Sequence, residues 1–279
     1  MIKYLKKLTF APFLLVAFAF LCHKLSYLFN TYDFIFSLSS QVYIDMINIS
    51  ILISLFSFLF ILFSTLAMEL KLIIPIGVAL FILAIIFFGY QLSGLVFAIG
   101  ILVILFIIYI SVENVMKNYL NFSPASIFSP IVKYLSGLLI FVIAVSYYFS
   151  INNVLMKNGF QIPDSIIETV IELSPNINQL IKQSNDSQSL LKINSESQQN
   201  FIRDSIKKTI RGQIQDIIKP FIGFVPIILA LLFFITFQSI TSLVNLLIYS
   251  LFWLTFFVLE KIGFITFIEE QRTVRKIVI

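Results

Sequence analysis

Four serines, Ser50, Ser54, Ser57 and Ser64, recur at helical spacing in an otherwise apolar stretch, and two amides, Gln238 and Asn245, stand seven residues apart in another. At 3.6 residues per turn the serines fall within about 80° of arc, on one face of a helix. Hydroxyls and amides donate and accept hydrogen bonds, but they do not titrate near neutral pH, and a serine is a nucleophile only beside a base. The chemistry open to such a face is therefore a polar track for an ion or solute. The competing reading is packing: small side chains let helices approach, and a hydroxyl bonds back to the preceding turn. No carboxylate or amide joins the serines on their face, which favours packing. Gln238 belongs to the cluster Gln238, Ser239, Thr241 and Ser242, which reads as a water-exposed turn. Only a turn seated deeper would aim Gln238 and Asn245 at a cavity.

The groups that usually carry catalysis are missing. Cys22 is the only cysteine and His23 the only histidine, so neither an internal disulfide nor a Cys- or His-cluster zinc site is expected. The bulky Leu21 before Cys22 argues against a lipidated cysteine, and His23 beside Lys24 reads as an interfacial residue. The chain contains no HExxH, GxSxG or Walker A sequence. Asp45, Glu69, Lys71, Glu113 and Glu260 all fall at the ends of apolar runs, leaving no carboxylate inside one. The expectation is a protein that is not an enzyme, with no catalytic, cofactor-binding or metal-ligating residues.

The elements that must position these residues are set by where charge is absent. Stretches 46–68, 72–112, 134–156 and 220–259 contain no Asp, Glu, Lys or Arg. About 20 apolar residues cross the ~30 Å hydrocarbon core as a helix, so the two longer stretches each fit two spans. Charged residues are 12% of the chain against ~25% in soluble domains, and the hydrophobic share is 59%. The fold class expected is all-α: a polytopic integral membrane protein of about seven transmembrane helices, near 8–29, 46–68, 72–88, 92–110, 131–151, 220–237 and 242–260. The first helix lacks a small-x-small cleavage site and reads as a retained span. Gly89, Ser93, Gly94 and Ala98 form small-xxx-small pairs suited to close helix packing.

Four parts follow: a membrane domain over 1–151, an extramembrane helical insertion over 152–219, a second membrane part over 220–260, and a polar tail over 261–279. In the insertion, Ile166, Val170, Leu173, Ile177 and Leu180 line one helical face, and residues 183–200 form a Ser/Asn/Gln-rich tip. Ile202, Ile206, Ile210, Ile214 and Ile218 then recur four apart, a stripe that precesses around its helix. A helix so apolar needs cover from the first arm, from lipid or from another chain. The expected function is a membrane scaffold or interaction protein that presents this two-armed segment at the membrane surface. Its partners would be the bilayer and either another protein or a second copy, met through 152–219, with the isoleucine stripe as the interaction face. The alternative is a channel or transporter with a weakly polar pathway along the serine face or the last hairpin.

The net charge of +5 lies on loops and tails, which suits topology and anionic-lipid contact rather than nucleic acid. The expected location is the cell membrane. Lys3, Lys6 and Lys7 argue for a cytoplasmic N-terminus. Seven spans would then put Lys261, Arg272, Arg275 and Lys276 outside, against the same rule. The reverse orientation puts those residues and the eight basic residues of 152–219 inside, but long loops count for little in that rule, so the cytoplasmic N-terminus is the expectation.

Overall fold

In the computed structural model the described residues are 7–29, 31–36, 39–118, 123–160, 162–163, 167, 205, 207–209, 211–213, 215–217 and 219–266. They form a helical bundle. Its long elements are α1 (Ala11–Leu28), α2 (Ser40–Ala67), α3 (Leu70–Phe88), α4 (Leu92–Asn118), α5 (Pro124–Asn158), α6 (Val225–Val244) and α7 (Ile248–Lys261). A single helical turn, Asp33–Phe36, lies between α1 and α2, and 3-10 turns at Lys219–Phe224 and Asn245–Leu247 precede α6 and α7.

Local chemistry accounts for most boundaries. Ser39 starts α2, its side chain accepting from the backbone N–H of Val42 (3.4 Å). Pro124 occupies the first turn of α5, where a missing N–H costs little. Gly89 and Gly159 end α3 and α5 at φ +70° and +68°, a conformation that suits a residue without Cβ. Two boundaries differ from the sequence reading. Pro130, expected in the connector before the fifth span, lies inside α5, and α4 runs on through Glu113 and Lys117. Both helices are longer than a hydrocarbon core requires: the 35 residues of α5 span ~52 Å.

The larger difference concerns residues 219–261. The turn expected at Gln238–Ser242 does not form, because α6 runs without interruption from Val225 to Val244. The 3-10 turn at Asn245–Leu247 keeps right-handed dihedrals on both sides, so the chain tightens there but does not reverse. Ring contacts follow the path. Along α5, Tyr147 stacks on Phe233 (4.8 Å), Phe141 meets Phe234 (6.4 Å), and Phe128 meets Phe252 (5.7 Å) and Phe256 (5.9 Å). As one helix is read forwards the other is read backwards, so α6 and α7 form one rod antiparallel to α5. Among the described residues six helical stretches are long and apolar enough to cross a membrane: α1 to α5 and the run Lys219–Lys261. Phe10 and Phe264 touch edge to face at 6.4 Å, which brings the beginning of α1 and the end of α7 to the same end of the bundle.

The outer faces are as apolar as the interior. Phe13, Val16 and Phe20 on α1 and Ile74, Val78, Ile82 and Ile86 on α3 are all at least half exposed, at i, i+3 and i+4 spacings. Contiguous apolar surface of this kind is foreign to a soluble monomer and normal against lipid. Inside, phenylalanines join the helices: Phe18 packs on Phe56 (5.1 Å) and Phe97 (6.2 Å), and Phe88 packs on Phe29 (4.8 Å) and Phe97 (4.8 Å). Ser93 and Ala98 of the small-residue motif are buried, and Gly94 sits tight on its own preceding turn at Phe88 and Gly89.

The isoleucine stripe Ile202, Ile206, Ile210, Ile214 and Ile218 lies outside the described residues, as do Ile166, Val170, Leu173, Ile177 and Leu180, the tip at 183–200 and the tail from residue 267. The described residues between 205 and 217 are helical and mostly exposed, and Gln215 reaches back to the carbonyl of Phe160 (3.4 Å).

The tightest seam is between α4 and α5 at Gly100, where an added Cβ would stand 2.5 Å from a methyl of Val142. Valine is stiff at χ1 and cannot swing aside. Gly100→Ala is expected to destabilise the bundle by about 1–3 kcal/mol, and the added change Val142→Ala should restore most of the loss. Thermal unfolding of the purified single and double variants measures this. An unaltered melting temperature for Gly100→Ala would show that the seam has slack.

Candidate functional site: a hydrogen-bonded polar cluster inside the bundle

The two polar features that the sequence keeps far apart meet in space. Ser54 of α2 donates its hydroxyl hydrogen to Asn245 Oδ1 at 2.9 Å, across 191 positions of sequence. Asn245 Nδ2 donates to Ser136 Oγ of α5 at 2.8 Å, and Ser136 in turn donates to the carbonyl of Lys133 at 3.0 Å. One amide thus ties three helices together. Asn245 stands on the 3-10 turn between α6 and α7, with 4% of its surface exposed. Ser54 lies near the middle of α2, so the cluster sits at mid-depth in the bundle.

All four predicted serines are buried, none more than 2% exposed, and they do three different things. Ser54 bonds across to Asn245, whereas Ser57 bonds back to the carbonyl of Ile53 (2.8 Å). Ser50 and Ser64 have no hydrogen-bond partner among the described residues. Gln238 packs against Gly137 of α5, where an added Cβ would stand 3.6 Å from Nε2, and its Oε1 is buried without a partner. The water-exposed turn expected there is corrected in part. Ser239 and Ser242 face outward, but Gln238, Thr241 and Asn245 point inward.

The sequence reading placed Thr241 in a water-exposed turn with Gln238, and it did not single out Ser136. The i, i+3, i+7 spacing of Gln238, Thr241 and Asn245 was their signal, since it marks one face of an uninterrupted helix. Ser136 had none, being a single serine in an apolar run. Helices α2 and α6 both begin at the same end of the bundle and run parallel. One turn back from the bonded pair Ser54 and Asn245 therefore stand Ser50 and Thr241, whose hydroxyls are both buried and without partners among the described residues.

This is a cluster of neutral donors and acceptors. It has the groups to hold helices in register, or to hold water or a small polar solute, but none to move a proton. Among the described residues no three His, Cys, Asp or Glu side chains gather where they could hold a metal ion. The ionisable groups stand at the bundle ends. Lys7 pairs with Glu69 at 2.6 Å and Lys117 with Glu113 at 2.6 Å at one end, and Lys24 approaches Asp45 at 3.5 Å at the other. His23 stands edge-on to Phe87 (6.2 Å) and, with Lys24 and Asp45, lines a cavity of about 520 Å³ at that second end. Ser64 is the member of the serine face that lines a described cavity, of about 270 Å³, together with Glu113 and Lys117.

Comparison with known protein families, with curated proteins and with solved structures finds no match for this chain. The class rests on the fold: several long apolar helices with an apolar outer surface, consistent with a multi-pass membrane protein.

Interhelical hydrogen bonds inside membrane bundles average about 0.6 kcal/mol and reach about 1.7. Asn245→Ala removes two and leaves Ser54 and Ser136 facing a gap, so a loss of about 1–2 kcal/mol is expected. Ser54→Ala should cost less, and the double variant should cost less than the sum. A double-mutant cycle measured by unfolding in mixed micelles tests this. Strict additivity would mean that the two side chains do not interact.

Proposed function

We propose that the chain is a membrane scaffold whose bundle anchors residues 152–219 at the outer face of the cell membrane, where they meet another protein or a second copy. The observation that carries this reading is the use made of the polar core: Ser54, Asn245 and Ser136 spend their hydrogen bonds on one another, as a closed structural bundle requires. Orientation is supported by charge. With six crossings, Lys3, Lys6, Lys7, Lys71, Lys117, Lys133, Lys261, Arg272, Arg275 and Lys276 all fall, by their place in the sequence, on the side where α1 begins and α7 ends. The opposite end has Lys24 in its short connections, and the other eight basic residues fall in the long insertion, which counts for little. A cytoplasmic N-terminus then satisfies the positive-inside rule at both ends of the chain, and the conflict raised by seven spans disappears.

The second reading, a channel or transporter, draws support from the oxygens of Ser50, Thr241 and Gln238, which have no partner among the described residues and could hydrate a path beside the cluster. Chemical crosslinking in native membranes separates the two. The scaffold reading expects species larger than the monomer that disappear when Ile206 and Ile210 are changed to serine. Absence of such species, together with ion or solute flux in proteoliposomes that Asn245→Leu abolishes, would overturn it in favour of transport.

Topology has its own test. In a Cys22→Ser background, a cysteine at Ser187 should react with an impermeant maleimide on intact cells, and cysteines at Lys3 and Lys276 should not. Labelling at Lys276 but not at Lys3 would return the count to seven, and labelling at Lys3 alone would invert the protein.

A further inference from the structure

The cavity of about 270 Å³ between the last turns of α2 and α4 has the construction of a ligand site. Its walls include Ser64, Met68, Tyr109, Glu113, Met116 and Lys117. A hydroxyl inside a helix ordinarily bonds to the carbonyl one turn back. Ser57, Thr65, Ser111, Ser146 and Ser239 all do so, at 2.7–3.0 Å. Ser64 does not: its residue is 1% exposed, it lines the cavity, and its oxygen has no partner among the described residues. A second departure lies one turn on. Met68 has φ +47°, the only positive φ at a non-glycine among the described residues, and it holds its half-exposed side chain at the cavity wall. Left-handed backbone at such a residue is uncommon and tends to mark functional positions.

The charges define the ligand. Glu113 and Lys117, 2.6 Å apart, present an anion and a cation side by side at the wall, in the turn that directly follows the charge-free stretch 72–112. A ligand that is itself zwitterionic matches both: its phosphate accepts from Ser64 and the Lys117 ammonium, and its own ammonium donates to the Glu113 carboxylate. A purely anionic group would face Glu113 unmatched, and a quaternary ammonium has no N–H to give it. The volume holds several waters of ~30 Å³, and it falls below the ~300 Å³ of a drug-sized site. Met68 and Met116 add apolar wall at the depth where the helices meet the headgroup layer. We propose that this cavity seats the headgroup of a phospholipid bearing a primary amine, of the ethanolamine type, drawn from the membrane leaflet around the ends of α2 and α4. This assignment is independent of the scaffold reading and requires only that the bundle lie in a bilayer.

The test uses the full chain, delipidated in mild detergent and returned to nanodiscs of equal parts phosphatidylethanolamine, phosphatidylcholine and phosphatidylglycerol. Lipid that stays with the protein on re-extraction is then quantified by mass spectrometry. The wild type should retain the ethanolamine lipid over the other two. Glu113→Gln should erase the preference over choline, and Ser64→Ala should weaken retention by about tenfold, the worth of one hydrogen bond to a charged group. Should Ser64→Ala fail to fold, Lys117→Met at the exposed rim gives the same reading, because its side chain is not needed for the core. Ser239→Ala, an exposed serine on α6, should change nothing. Equal retention of the three lipids by the wild type would overturn the assignment, as would an unchanged ratio in Glu113→Gln. Displacement of the lipid by soluble phosphoethanolamine would assign the site to a soluble zwitterion instead.

Discussion

Hydrocarbon offers no hydrogen bonds, so a polar group carried into it is costly unless it finds a partner within the protein. That constraint shapes this bundle from its centre outward. The backbone satisfies it by being helical. The side chains that cannot satisfy it alone, Ser54, Ser136 and Asn245, satisfy it together, and in doing so they set three helices in register. The uninterrupted rod of α6 and α7 depends on the same fact. Gln238, Thr241 and Asn245 would end a helix at a water surface, but here they lie on the inner face of the rod, where Ser54 of α2 and Ser136 of α5 meet the amide of Asn245.

The ends of the bundle obey the constraint in another way. The last carbonyls of a helix have no intrahelical donors. At the end of α1 the donors come from α5: Ser150 gives its hydroxyl hydrogen to the carbonyl of Phe29 at 2.7 Å, and Tyr147 gives its own to the carbonyl of Thr31 at 3.1 Å. The ring of Tyr147 stacks on Phe233 at the same time, so one side chain fastens the connection after α1 and joins α5 to α6. At the opposite end the ion pair of Lys7 and Glu69 ties the approach to α1 to the turn between α2 and α3. Polar contacts there add order to an assembly whose cohesion comes from packed phenylalanines, since burial from lipid gives helices little reason to associate by hydrophobicity alone.

A bundle arranged this way separates its two kinds of surface. The flanks are apolar and suit lipid anywhere along the core. The distinctive chemistry is at the ends, where ion pairs, aromatic rings and small cavities gather. α5 ends at one end of the bundle, and the beginning of α1 meets the end of α7 at the other.

The sequence by itself determined the class and the placement of most helices. A run without charge, long enough for the hydrocarbon core, has few stable states other than a helix in lipid, and that property is local. The burial of Ser50, Ser54, Ser57 and Ser64 was legible too, because helical periodicity assigns a face before any partner is known. Only the tertiary structure decided what that face meets. Whether the stretch that ends at Asn245 turns toward water or passes through the core depends on Ser54 of α2 and Ser136 of α5, which bond that amide from positions more than a hundred residues away. The same holds for Ser136, which no pattern marked, and for Gly100, whose role is set by Val142 on another helix. The span count follows from that one choice. A polar cluster in an apolar run is a turn when water solvates it and a helix when protein does, and sequence spacing is the same in both cases.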